Sequence, residues 1–314
     1  MPTRLIALTT LALFCTACAS TRPDLPEAWD GQARALTDGR VFVPPPITFA
    51  RRTELEADLR AARAELDKDP TNEQALIWYG RRLAYLYRYA EAIDVFGRGV
   101  EMHPTSYRLL RHRGHRYITV RRFDHAERDL TKAAELAEGT IDEIEPDGAP
   151  NAAGVPLSTD HSNIWYHLAL AQYLQGKFYQ AERSWARCVE IRRDNDDSLV
   201  ASTYWHYLTL CRLGLDTEAA AAIEPIRADM TILENVSYHA ALLMFKGERT
   251  ADDLRTGVRA GRLDASTVGY ALGMAALLSG DAAGAKDEFQ NVIEETNWMM
   301  FGHIAAEAEL ARMK

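Results

Sequence analysis

The sequence predicts an all-α protein built from consecutive helix pairs that stack into a solenoid. The first observation is a 34-residue period, seen at Pro70 and Pro104, Gly80 and Gly114, Tyr89 and Phe123, Ala92 and Ala126, and Gly99 and Ala133. The second is a large apolar residue four positions after Ala92 and after Ala126, at Phe96 and Leu130, on the same helical face as the alanine. A unit of this length exposes an apolar face that the next unit must cover.

Residues 1–18 are expected to be an export signal rather than part of this fold. Arg4 precedes a ten-residue apolar stretch at residues 5–14, which is typical of a signal peptide. Thr16-Ala17-Cys18 resembles the end of a bacterial lipobox with Cys18 as the lipidated residue, whereas cleavage after Ala19 would release a soluble protein. We therefore expect an exported protein of the bacterial cell envelope, either lipid-anchored and facing the periplasm or soluble in the periplasm or medium.

Two short elements precede the repeats. Residues 19–50 are expected to form a tether or an extended arm, because prolines such as Pro23 and those at residues 44–46 prevent a continuous helix. Leu55, Leu59 and Leu66 share one face, so residues 51–67 are expected to form a helix that closes the N-terminal end. The solenoid as a whole is assigned to residues 51–314.

Within the solenoid we predict six repeats, at about 73–106, 107–140, 162–195, 200–233, 234–264 and 266–299. Residues 298–313 are expected to form a closing helix, because a solenoid needs polar caps over its terminal apolar surfaces. The fifth repeat matches least well, since Asp252 stands where the other repeats have alanine.

The glycines of the repeats mark where paired helices approach most closely. Gly80, Gly114 and Gly273 take the small position of the first helix, and the repeated alanines take that of the second. Through these positions the chain resembles the tetratricopeptide repeat (TPR), a helix-turn-helix of about 34 residues. The resemblance implies a right-handed superhelix whose first helices line a concave, protein-binding surface.

A loop is inserted at residues 138–161, between the second and third repeats. Ala126 and Ala181 are 55 residues apart instead of 34, and Pro146 and Pro156 prevent a continuous helix between them. Long loops in regular arrays are frequently functional. Two roles are open at this point: the loop contributes to binding, or its acidic residues 142–147 neutralise nearby arginines.

A basic run lies close to this acidic loop in the sequence. Six arginines fall between residues 108 and 122, and helical spacing puts two of them on one face with two histidines. The TPR resemblance directs this face, and positions of the neighbouring repeats, into the concave surface. The predicted peptide-binding residues are Arg81, Arg108, Arg111, His112, His115, Asn163, Tyr166 and His167.

These residues predict a protein-interaction scaffold that binds an acidic or carboxylate-bearing peptide, because the planar guanidinium group suits carboxylates. The alternative is an enzyme or a binder of a small ligand or metal that uses the same cluster and the acidic loop. In that case His112 and His115, one helical turn apart, could hold zinc together with His161 or Asp160.

Composition narrows the remaining functional classes. The chain has 314 residues, 47% of them hydrophobic, which is enough for a substantial core. Its formal charge of -9 argues against a general nucleic-acid binder, which needs a basic face. No catalytic motif, metal site or cofactor site is predicted. Cys188 and Cys211 fall in helical patterns and are expected to be buried residues rather than a disulfide.

Overall fold

The computed structural model describes residues 31–146, 148, 151 and 153–313. The predicted signal segment, including Cys18, lies outside these residues. The described part contains no β-strand, only two isolated β-bridges. Its fourteen α-helices are α1 (Phe49–Lys68), α2 (Glu73–Tyr85), α3 (Tyr89–Met102), α4 (Tyr107–Thr119), α5 (Phe123–Ala137), α6 (Asp160–Leu174), α7 (Phe178–Arg192), α8 (Asp196–Arg212), α9 (Asp216–Ile223), α10 (Val236–Phe245), α11 (Ala251–Arg259), α12 (Ala265–Leu278), α13 (Ala282–Glu295) and α14 (Phe301–Arg312).

Helices α2 to α13 form six consecutive pairs, and each pair consists of a first and a second helix that pack on each other. The first helices α2, α4, α6, α8, α10 and α12 contact one another in sequence, so they form one continuous layer. Helix α1 packs on α2 and closes the N-terminal end. The predicted all-α solenoid of stacked helix pairs is therefore confirmed.

The small residues explain how closely the helices of a pair approach. A Cβ atom added to Gly80 would lie 2.4 Å from the ring of Phe96, and one added to Gly114 would lie 2.7 Å from Leu130. Gly273 is in the same relation to Phe289. In these three pairs the first helix thus lacks a side chain where the large residue of its second helix is buried, as the 34-residue pattern predicts.

Helix α14 does more than close the C-terminal end. It packs on α12 and α13, as the predicted cap should, and it also reaches back to α6. Its residues from Gly302 to Leu310 are all buried, including Glu307 and Glu309. Glu307 binds Arg121, which follows α4, and Glu309 binds Arg212 at the end of α8. The helix therefore crosses the layer of first helices, the layer that the TPR resemblance makes concave.

The arm that precedes α1 also contacts this C-terminal region. The ring of Phe42 stacks on Trp298 with centroids 4.9 Å apart, and the Trp298 Nε1–H group donates to the Val43 carbonyl oxygen over 2.9 Å. The Leu36 amide donates to Glu307 over 3.3 Å. Two segments from outside the six pairs thus occupy part of the inner layer, which reduces the groove that a ligand could use.

Two further features concern the helices and the cysteines. Among the described helices, none combines the length and apolar character that crossing a membrane requires. Cys188 and Cys211 are both free thiols, and burial raises the pKa of Cys188 to about 11. Cys188 is fully buried between helices, as expected from the sequence, whereas Cys211 is only partly buried, contrary to that expectation.

Candidate functional site

The inserted loop folds over the layer of first helices. A bridge between Ile144 and Thr159 closes its base, and the Glu145 amide donates to the Ser158 carbonyl oxygen over 3.1 Å. Asp160 then begins α6, and Thr159 caps that helix through its side chain. This pairing fixes where Glu145 and Pro146 lie.

Beneath the loop lies a cavity of about 400 Å³. Helices α2, α4, α6, α7, α8 and α10 and the start of α14 contribute to its walls, and Glu145, Pro146, Pro156, Leu157 and Ser158 of the loop cover it. The structure brings seven of the eight sequence-predicted site residues together here: Arg81, Arg111, His112, His115, Asn163, Tyr166 and His167.

Arg108 is the predicted site residue that the structure places elsewhere. Its Nη2 donates to Glu143 over 2.5 Å and its Nε donates to Asp160 over 2.7 Å, and it does not line the cavity. Helical spacing puts Arg108 on the same face as Arg111. Its acidic partners are Glu143 in the loop and Asp160 at the start of α6, and they bind its side chain outside the cavity. The acidic loop therefore neutralises Arg108, which is one of the two roles that the sequence left open for it.

The acidic loop also neutralises Arg111, but only in part. Glu145 is 8% exposed and lies 3.1 Å from Arg111 Nη2, and Asn163 donates to the same carboxylate over 2.9 Å. Arg81 donates to the Pro146 carbonyl oxygen over 2.7 Å and lies 3.9 Å from Glu145. One buried carboxylate thus serves two arginines, and the Nε of Arg111 is buried without a hydrogen-bond partner among the described residues.

Arg116 and Arg192 also line the cavity, although the sequence did not predict them there. Arg116 follows His112 by one helical turn, so its place in the basic run was the signal that could have found it. Arg192 is the last residue of α7, a second helix, and the family pattern gave no reason to direct it inward. We refer to Arg111, Arg116 and Arg192 as the cavity arginines.

The cavity arginines are short of partners. Within the described part of the chain, no carboxylate forms an ion pair with Arg116 or Arg192. Arg192 is 8% exposed, donates to Asn163 Oδ1 over 3.4 Å, and has a buried Nε with no partner among the described residues. Burial lowers the pKa of Arg116 to about 10, so it stays charged at neutral pH. Arg116 and Arg192 thus have N–H donors that no carboxylate of the described residues binds.

The cavity also holds three histidines, which are neutral at pH 7. Burial, followed by the charges of nearby arginines, lowers the pKa values of His112, His115 and His167 well below 6.5. Arg111 donates to His112 Nδ1 over 2.8 Å, and His167 Nδ1–H donates to the Asn163 carbonyl oxygen over 2.6 Å. The positive charge of the site therefore comes from the arginines.

The same contacts bear on the zinc alternative. His161 is hydrogen-bonded to Thr140, and Asp160 is paired with Arg108, so neither joins His112 and His115 in the cavity. The described residues contain no group of three histidine, cysteine or acidic side chains that could hold a metal ion. What the cavity offers chemically is an enclosed set of arginine N–H donors for a negatively charged group.

Comparison with known proteins yields similar folds only. No protein-family model and no curated protein matches the chain. YrrB, a TPR protein described as having an unusual peptide-binding site, is 13% identical, with 79% of this chain and 96% of YrrB covered at a TM-score of 0.44. PilF of Pseudomonas aeruginosa is 13% identical over 78% of this chain and 86% of its own, at 0.46.

A TPR protein from Parabacteroides merdae is 14% identical, with 83% of this chain and 94% of that one covered at a TM-score of 0.49. The fold assignment rests on the six helix pairs of this chain, three of which have a glycine where the paired helices cross. The fold is TPR-like. Similarity at this level says nothing about what the present chain binds, so its function has to be argued from its own cavity.

Proposed function

We propose that this protein is a non-enzymatic interaction protein that binds the carboxylate-bearing end of an acidic peptide in the cavity. The observation that carries this proposal is the set of cavity arginines with unpaired N–H groups. A buried guanidinium group without a carboxylate costs free energy, and a bound carboxylate offsets that cost. Arginine also matches the planar geometry of a carboxylate better than lysine does.

The shape of the site supports a chain end rather than a segment that passes through. Residues Pro156 and Leu157 of the loop cover the cavity, Phe301 of α14 lies in its wall, and the volume is about 400 Å³. A pocket of this size can enclose a few residues of a ligand. An extended peptide along the whole inner layer would meet α14, whose Glu307 is already bound to Arg121.

The test is calorimetric titration with the tripeptide acetyl-Ala-Ala-Leu, whose terminal carboxylate is its single charge, and with its C-terminal amide. We expect the free acid to bind and the amide to bind at least about tenfold more weakly, since the loss of a charge-assisted hydrogen bond is worth about 1.5–3 kcal/mol. The Arg116→Gln variant should lose a similar factor for the free acid.

A matched control removes an arginine outside the cavity. Arg98→Gln changes an exposed residue on α3, and its affinity for the free acid should equal that of the wild type. Circular dichroism should show the same helical content for both variants. Equal binding of acid and amide, or unchanged binding by Arg116→Gln, would contradict the proposal.

A second candidate function is the binding of a small anionic molecule instead of a peptide, which the enclosure of the cavity by the loop favours. The two are separated by denaturing the purified native protein and analysing the supernatant by mass spectrometry. A stoichiometric small organic acid would support the second candidate. A peptide, or an empty supernatant together with binding of the tripeptide, would support the first.

We further propose that the protein works as a scaffold in the bacterial envelope, anchored through an acylated Cys18. The support is the sequence of the first twenty residues: an apolar stretch followed by Thr16-Ala17-Cys18. Mass measurement of the mature N-terminal peptide tests this. A lipid-modified Cys18 is the expected result, and an unmodified chain beginning at Ser20 would contradict it.

A further inference from the structure

Four aromatic rings form one wall of the cavity, and we call them the aromatic wall: His115 of α4, Tyr166 and His167 of α6, and Phe301 of α14. The rings of His115 and His167 are 4.2 Å apart, and those of His115 and Phe301 are 5.7 Å apart. Phe301 also contacts His167 and Tyr166, with centroids 5.9 and 6.2 Å apart. The rings are thus contiguous rather than scattered around the cavity.

The aromatic wall is incompletely covered by the protein itself. Phe301 and His115 are only half-buried although they lie at the centre of the wall, and both line the cavity. Two large rings elsewhere in the solenoid, Phe289 and Trp205, are by contrast completely enclosed. The ring surface left at Phe301 and His115 is therefore available to a ligand in the cavity.

The electrostatics of the wall favour a ring over a second charge. His115 and His167 are uncharged at neutral pH because burial and nearby arginines lower their pKa values. The groups that face them are Phe301 of α14, Arg111 and Arg116 of α4, and Arg192 of α7. The guanidinium group of Arg192 lies 5.0 Å from the centroid of the Tyr166 ring. Cations and aromatic faces are therefore side by side.

Building on the proposed function, we propose that the residue whose carboxylate enters the cavity is aromatic. Its carboxylate meets the cavity arginines and its ring packs on the aromatic wall. Aromatic rings pack on one another with a geometric preference that saturated rings of similar size lack. The ligand class is thus an aromatic carboxylate at the end of a peptide.

The test compares two ligands that differ only in aromaticity: acetyl-Ala-Ala-Phe and the same peptide ending in cyclohexylalanine. Their charge and size match, and the saturated ring is the more hydrophobic, so burial alone would favour it. We expect wild-type protein to bind the phenylalanine peptide about three- to tenfold more tightly, the value of an aromatic pair. In Phe301→Leu the two affinities should converge to within about twofold.

Two further variants keep the result interpretable. Phe301→Tyr retains a ring at the same place, so it should retain the preference even if Phe301→Leu is destabilised. Phe49→Leu removes a phenylalanine that is 86% exposed on α1, and it should change neither affinity.

The outcomes separate this inference from the proposed function. If both peptides bind and the cyclohexylalanine peptide binds as tightly or more tightly, the aromatic preference is overturned while carboxylate binding stands. If neither peptide binds, the proposed function fails and this inference fails with it. If the preference survives in Phe301→Leu, the Phe301 ring at the centre of the aromatic wall is not its source and the inference is overturned.

Discussion

Two sets of arginines lie on the inner layer of this solenoid, and their partners differ. Arg121 and Arg212 each form an ion pair with a carboxylate of α14, and Arg312, the last residue of α14, pairs with Glu309 of the same helix. Of the cavity arginines, Arg111 and Arg116 lie on α4 and Arg192 ends α7, and among the described residues only Arg111 has a carboxylate partner, Glu145. We call the first set the α14 arginines.

The pair formed by Arg121 and Glu307 shows what complete pairing requires. Arg121 donates to Glu307 through Nε over 2.9 Å and Nη2 over 2.5 Å, and its other N–H groups reach the carbonyl oxygens of Thr119 and Trp298. Burial raises the pKa of Glu307 and lowers that of Arg121 despite their mutual attraction. The α14 arginines are thus satisfied within the fold, whereas the cavity arginines keep unused donors. The difference separates an arginine that holds a helix in place from one that, under the proposed function, would bind a ligand.

The largest expected effect comes from breaking a complete pair. Glu307→Gln leaves Arg121 buried without a carboxylate, and the unfolding free energy should fall by about 3–5 kcal/mol, the usual cost of removing one partner of a buried pair. Urea denaturation at pH 7, followed by circular dichroism, measures this loss. The control is Glu190→Gln, which breaks the exposed Arg187–Glu190 pair on α7 and should change stability by less than about 1 kcal/mol. A loss below about 1 kcal/mol in Glu307→Gln would contradict this account of α14.

A smaller effect is expected from pH, through His303 on α14. Burial and then the charge of Arg121 lower the pKa of His303 to about 4. The folded state therefore stays unprotonated at this residue while the unfolded chain, with a histidine pKa near 6.5, takes up a proton. Stability from this group is complete above pH 6.5 and is lost as the pH falls towards 4.

Between pH 7 and pH 5 this contribution amounts to about 2 kcal/mol of unfolding free energy. The variant His303→Gln does not titrate in this range, so it should lose that much less than the wild type over the same interval. Urea midpoints at the two pH values measure the difference. Parallel losses in wild type and variant would show that His303 is not the titrating group.

The next effect concerns the cavity: removing the carboxylate of Glu145 should free the N–H donors of Arg111 for a ligand. Glu145→Gln keeps a side chain of the same shape but removes the carboxylate that competes with a ligand for Arg111. We expect the affinity for acetyl-Ala-Ala-Leu to rise about fivefold, close to 1 kcal/mol. Glu143→Gln is the matched control, because Glu143 lies in the same loop but binds Arg108 outside the cavity. Weaker binding by Glu145→Gln would mean that Glu145 itself holds the ligand.

Much of the fold could be predicted from the sequence because its determinants are local and repeated. The distance from Gly80 to Phe96 is set within one helix pair, and the next pair repeats it at Gly114 and Leu130. A period of 34 residues is visible without any structure, and it specifies which helix must lie against which. The stack of helix pairs follows from these contacts.

The course of α14 and the limits of the site could not be predicted in the same way. An apolar pattern in residues 298–313 predicts one buried face for this helix, but Glu307 and Glu309 are buried too. They are paired with arginines that lie 186 and 97 residues away in the chain. Arg192 entered the cavity from the end of a second helix for a similar reason. Such pairings depend on which distant segments meet in the folded chain, and they produce no short-range pattern in the sequence.

The smallest expected effect is the most informative about the cavity arginines. Arg116→Gln removes a partly buried charge that has no carboxylate among the described residues, so its loss should leave the unfolding free energy unchanged or raise it by up to about 1 kcal/mol. Arg121→Gln serves as the counterpart in urea denaturation, because it strands Glu307 and should cost several kcal/mol. If Arg116→Gln destabilised the fold as much as Arg121→Gln, Arg116 would be a structural residue like the α14 arginines. A neutral or stabilising result, combined with lost carboxylate binding, would instead show that Arg116 contributes nothing to stability and serves binding.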